Sequence, residues 1–85
     1  MQWKAKFEVT LKKEVLDPQG KAVESSLNTL GYDNVSRVRV GKYIELILEA
    51  EGRDEAAAQA EEVATRLLSN PVIEDFSYEL QEAGV

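Results

Sequence analysis

Trp3, Ala5, Phe7, Val9 and Leu11 alternate with Lys4, Lys6, Glu8, Thr10 and Lys12. A period of two places the apolar set on one face of a strand and the polar set on the other, so residues 3–11 read as a half-buried strand. Past Leu16 the period changes. Ala22, Val23, Leu27 and Leu30 recur at helical spacing, Asp17 and Pro18 form a capped start, and Gly31 stands where a left-handed C-terminal cap belongs. This predicts a helix from Pro18 to Leu30. Gly20 does not fit that logic, because glycine in a first turn costs up to about 1 kcal/mol relative to alanine and leaves bare backbone. The exposed backbone of Gly20 is therefore a candidate point of close approach for another surface.

From Val35 to Ala50 the apolar residues again alternate, interrupted by Gly41-Lys42. Were that pair a hairpin turn, Val38 would face Glu45 across it, setting a charge against a core valine. Read straight through, Val38, Val40, Ile44, Leu46 and Leu48 share one face with only Lys42 among them, so the parity favours one long kinked strand. Sixteen residues at about 3.3 Å each would span roughly 50 Å, beyond the diameter of a compact domain of this size, and such a strand invites a second chain. A second helix opens at Gly52 and Asp54, with Ala56, Ala60, Val63, Ala64, Leu67 and Leu68 inward. It stops at Ser69-Asn70-Pro71, since proline forces the preceding residue out of helical geometry. Val72 to Leu80 forms the last strand, and residues 81–85 read as a frayed tail. The order β-α-β-α-β indicates a two-layer α+β arrangement with both helices on one face of a mainly antiparallel sheet. Tyr43 and Ile47 fall on the opposite face with Arg37, Arg39 and Glu45, a mixture suited to self-association.

Eighty-five residues make one domain, residues 1–85, too small for a deep private active site. Sixteen acidic against ten basic residues give a net charge of −6, which opposes binding to nucleic acid or to an anionic membrane. Cysteine and histidine are both absent, which removes thiolate and imidazole nucleophiles, bases and metal ligands. No apolar run approaches a membrane span and the start lacks an apolar signal core, so a cytoplasmic protein is expected. Gly41-Lys42 resembles the end of a phosphate-binding loop. That loop, however, needs glycine where Ser36 stands and Ser or Thr where Tyr43 stands. Glu74 and Asp75 are neighbours on a strand, point to opposite faces and cannot work as an acid-base pair. Asp54, Glu55, Glu61 and Glu62 are the wet side of an amphipathic helix, and no dedicated metal site is indicated. By elimination the chain is a non-catalytic partner or regulatory module.

Val9-Thr10-Leu11-Lys12, Val15 to Ala22, Val38 to Lys42 with Glu45, and Leu67 to Phe76 together resemble the PurS family. This is the small subunit of phosphoribosylformylglycinamidine (FGAM) synthase. Leu16-Asp17-Pro18-Gln19-Gly20 and Asn70-Pro71-Val72-Ile73-Glu74-Asp75 are its most specific segments. Phe76 departs from the tyrosine often found there. The resemblance implies a complex that uses ATP and glutamine to convert formylglycinamide ribonucleotide to its amidine in purine biosynthesis. It implies that a synthetase subunit, PurL, holds ATP and magnesium, that a glutaminase subunit, PurQ, releases ammonia, and that this chain carries no cofactor. On this resemblance the chain bridges the two and assists ammonia transfer, and it builds half-ferredoxin-like units completed by dimerisation or tetramerisation. Expected partner contacts are Asp17, Pro18, Gln19, Gly20, Gly41, Lys42, Asn70, Pro71, Glu74 and Asp75, with Tyr43 and Ile47 for self-association. The competing expectation is an ACT-like domain binding a small molecule, which rests on fold analogy. An RNA-recognition reading lacks the basic, aromatic strands it requires.

Overall fold

A computed structural model of the chain describes residues 1–83. Strand β1 (Gln2–Leu11) is followed by helix α1 (Pro18–Thr29), strand β2 (Gly41–Glu49), helix α2 (Arg53–Val63) with a π-helical extension (Ala64–Leu68), and strand β3 (Glu74–Glu82). The sheet order is β2-β1-β3 and both pairings are antiparallel. The strand with the strictest alternation is therefore the central one. Trp3, Ala5, Phe7 and Val9 are all buried, and across the ladder Phe7 lies opposite Ile44 on one side and Tyr78 on the other.

Helix α2 closes that face. Ala56, Ala60 and Ala64 are fully buried against Trp3, Ala5, Phe7 and Leu48, and their small side chains let the helix backbone sit close to the sheet. Arg53 lays its guanidinium over the Trp3 ring, 5.3 Å from the centroid, a cation–π contact at the start of the helix. The far end departs from the even 3.6-residue stripe. Through the π-helical turn Leu68 reaches the core while Leu67, expected inside, is 80% exposed. The wider turn rotates each residue through a smaller angle than an α-turn does, which shifts the inward face off the even 3.6-residue stripe. Ser69 is buried and ends the helix by donating its hydroxyl to the Ala64 carbonyl at 2.8 Å.

Three sequence expectations change here. β2 starts at Gly41, not Val35, and Val35 to Val40 lie outside the ladder. Arg37 has φ +57°, a left-handed conformation that breaks the extended run. Gly41-Lys42 is still no turn, because both residues pair with β1 as Thr10 opposite Gly41 and Val9 opposite Lys42. β3 is shifted two residues along, since Pro71 to Ile73 form a turn, and Gln81 and Glu82 pair with β1 instead of fraying. Gly84 and Val85 lie outside the described residues. Finally, α2 alone covers the sheet. α1 keeps its Asp17 cap and its left-handed Gly31 at φ +99°, but Val23 and Leu30 on its apolar side are exposed.

The molecule measures 51 × 29 × 15 Å with a radius of gyration of 16.5 Å. A compact chain of this length would have a radius near 12 Å, so α1 and the 35–40 segment extend the body well beyond its core. Because the three alanines are fully buried between helix and sheet, Ala60→Leu is expected to destabilise the fold by about 1–3 kcal/mol through overpacking. A urea midpoint that falls at unchanged slope is the result that checks it.

Candidate subunit-docking site

The junction before α1 is organised by one carboxylate. Asp17 sits in extended conformation, and its Oδ1 accepts the Gly20 N–H at 2.9 Å, the ordinary N-cap bond. Its Oδ2 accepts the Val40 N–H at 2.8 Å, and the Arg39 Nε lies 4.0 Å away. The bond from Gly20, then that from Val40, then the Arg39 charge hold the Asp17 carboxyl below the usual carboxylate range, against the opposing effect of burial. About two helical turns on, Glu24 Oε1 accepts the Val38 N–H at 3.4 Å. The amides of Val38 and Val40 thus find carboxylates on α1 and on its N-cap. Gly20 is buried, and a Cβ there would collide with the Val38 carbonyl. Its bare backbone is already covered by the chain itself, which corrects the expectation of an open docking point.

Gly41 has the same kind of reason. A Cβ would lie 2.7 Å from Thr10 Cγ2 and equally press on the Val9 carbonyl, so glycine lets β2 enter the ladder. Lys42 reaches over the end of the sheet, its Nζ 3.7 Å from Glu74 Oε2 and 3.5 Å from the Leu68 carbonyl at the end of the helical segment. Glu74 Oε1 in turn accepts the Asn70 N–H at 2.7 Å, and Asn70 Oδ1 accepts that of Val72 at 3.1 Å. The Asn70 carbonyl accepts the N–H groups of Ile73 and Glu74. Asp75 pairs with Lys12 at 3.0 Å, and the Lys12 N–H donates to the Ile73 carbonyl. The turn between α2 and β3 is consequently tied on every side.

Gln19, Gly41, Lys42 and Glu74 share one small cleft of about 230 Å³ with Thr10 and Val40. Three segments far apart in sequence therefore converge at one end of the sheet. Within them Asp17, Gly20, Gly41, Asn70 and Glu74 bond inside the chain, while Pro18, Gln19 and Pro71 are exposed. Tyr43 and Ile47 are both exposed on the open sheet face. The Tyr43 hydroxyl donates to Glu45 Oε2 at 2.6 Å, and that bond, with burial and the nearby Glu45, Glu79 and Glu8 charges, pushes the phenol up to about 12. Among the described residues no group of three acidic side chains is placed to hold a metal ion, and no helix is long and apolar enough to cross a membrane. Sequence reasoning missed the bond from Val40 to Asp17 and the role of Glu24, which looks like any polar-face residue of a helix.

The family model described as "PurS: Phosphoribosylformylglycinamidine (FGAM) synthase" matches residues 4–82. The chain belongs to the PurS family. The phosphoribosylformylglycinamidine synthase subunit PurS of Synechocystis sp. is 53% identical over 72 residues, covering 85% of this chain and 72% of its own. The structure of Thermus thermophilus PurS matches with a TM-score of 0.85 at 42% identity, over 99% of this chain and all of that one. A chain of the PurLQS structure from Thermotoga maritima matches with a TM-score of 0.86 at 30% identity, over 95% of this chain and 99% of that one. The family match spans all three segments that converge at the sheet end.

Gly20→Ala is expected to weaken the hold on α1, since the new methyl must displace the backbone of Val38. Faster hydrogen exchange at the Val38 and Val40 amides, with exchange in β1 unchanged, is the result that checks it. A second expectation concerns pH. The folded-state pKa of Asp17 is depressed, so its stabilisation is complete above the unfolded value near 3.9 and is lost as pH falls through the folded value. Amide protection at Gly20 and Val40 should persist from neutral pH into the carboxylate range and disappear below it. Asp17→Asn should abolish that pH dependence.

Proposed function

We propose that this PurS-family chain is a non-catalytic small subunit of FGAM synthase that joins a synthetase subunit to a glutaminase subunit. The observation that carries the reading is the convergence of its three motif segments on one end of the sheet, with their internal groups bonded and Pro18, Gln19 and Pro71 turned outward. The Thermotoga maritima relative occurs in a structure of PurLQS, which supports the same kind of assembly here. ATP and magnesium then belong to the large subunit, and glutamine hydrolysis to the glutaminase. This chain holds the two in register and assists ammonia in passing between them, as one domain in the cytoplasm. Outward contacts are assigned to Pro18, Gln19, Lys42, Pro71 and Asp75, with Asp17, Gly20, Gly41, Asn70 and Glu74 shaping the surface from within. Tyr43 and Ile47, together with the uncovered side of α1, serve self-association into a dimer or tetramer.

Reconstitution tests this reading. In size-exclusion chromatography with glutamine and nucleotide present, the chain should comigrate with both subunits. Glutamine-dependent synthase activity should need it. Full activity from the other two subunits alone, or separate elution under these conditions, would overturn the proposal.

A further inference from the structure

Four of the ten basic residues gather in one place although the chain as a whole carries a charge of −6. Lys13, Lys21, Arg37 and Arg39 line an open cleft of about 500 Å³ between the loop after β1, the first turns of α1 and the 36–39 segment. The carboxylates beside them are mostly committed. Asp17 holds the Gly20 and Val40 amides and lies near Arg39, and Glu24 accepts from Val38. Among the described residues Lys13, Lys21 and Arg37 form no salt bridge. Glu14 is the acidic side chain of the lining without such a bond, so four cations stand against three carboxylates, an excess of one positive charge at this place. Arg37 also occupies a left-handed conformation at φ +57°, uncommon for a residue with a side chain, in the stretch that forms one wall.

We propose that this cleft docks an acidic segment of another FGAM synthase subunit, a partner that rests on the assembly reading above. The charge argues for the occupant. An acidic chain repels acidic partners over most of its surface, so a local excess of unpaired cations steers and registers such a partner at one place. A second copy is a poor match. Its sequence holds no run of three carboxylates, and Glu62, Glu74 and Asp75, from two of its three adjacent acidic pairs, are already paired with Arg66, Lys42 and Lys12. The cleft is open and lined by flexible side chains, a form suited to a peptide with several carboxylates.

The test uses the full chain with the synthetase and glutaminase subunits. Association of the wild type should weaken as NaCl rises from about 50 to 500 mM, as expected for an interface steered by exposed charges. Lys21→Glu/Arg37→Glu should bind at least roughly tenfold more weakly, with its own oligomeric state unchanged in ultracentrifugation. Arg37→Lys should keep most of the affinity. Arg37→Gly, which glycine accommodates at positive φ, should fold normally and still bind less well. Salt-independent assembly with wild-type binding by the double variant would overturn the cleft while leaving the assembly reading intact. Failure of the wild type to bind either subunit would instead overturn that reading and this partner with it. Loss of self-association in the double variant would assign the cleft to the homo-oligomer and overturn the proposal. So would displacement of the subunits by about 10 mM phosphate at constant ionic strength, which would mark a small-anion site.

Discussion

The Asp17 carboxylate is the interaction on which the rest of the architecture depends. A capping aspartate ordinarily answers to its own helix, but here the second oxygen binds the Val40 amide, one residue before β2 enters the sheet. The same side chain therefore starts α1 and sets where α1 lies relative to β2. Little else does so, because α1 presents Val23 and Leu30 to solvent instead of to the sheet. Gly20 is the necessary complement, since any side chain there would push the Val38 carbonyl away and lengthen both carboxylate-to-amide bonds.

What could be read from the sequence divides along the same physical line. β1 was legible because its alternation is strict and its inner face is fully buried, so register and burial agree. Side-chain parity also settled that Gly41-Lys42 is not a turn, and the register across β1 agrees. The start of β2 was not legible. Val38 and Val40 keep the apolar spacing of a strand, yet the break is made by Arg37 in a conformation that nothing about arginine announces. The π-helical end of α2 was hidden likewise, since Leu67 and Leu68 are equally apolar and only the backbone decides which one faces out. The placement of α1 was least legible of all. An Asp-Pro cap followed by an amphipathic stretch reads the same whether its apolar side meets its own sheet or another surface.

The candidate site shows a related pattern. Segments distinctive enough to suggest a family turn out to contain residues chosen for internal geometry: Gly41 for the approach to Val9, Asn70 for a turn bonded three ways, Glu74 to join that turn to Lys42. Such residues are distinctive because few alternatives satisfy the backbone. Sequence alone could find the frame but could not separate it from what the frame presents.

The exposed apolar side chains then bear on what the isolated chain lacks. Leu16, Val23, Leu30, Leu67 and Val72 are all exposed on a body whose radius of gyration is 16.5 Å. Burying each in an interface would contribute roughly 1.5–3 kcal/mol, while association costs on the order of 4–15 kcal/mol in lost freedom and further ordering. Any one of these side chains alone contributes too little to overcome that cost. A stable interface must therefore bury several of these side chains at once. Leu16, Val23 and Leu30 flank or lie on α1, whereas Leu67 and Val72 lie at the end of the second helical segment and in the turn after it, so burying both groups takes contact with more than one element.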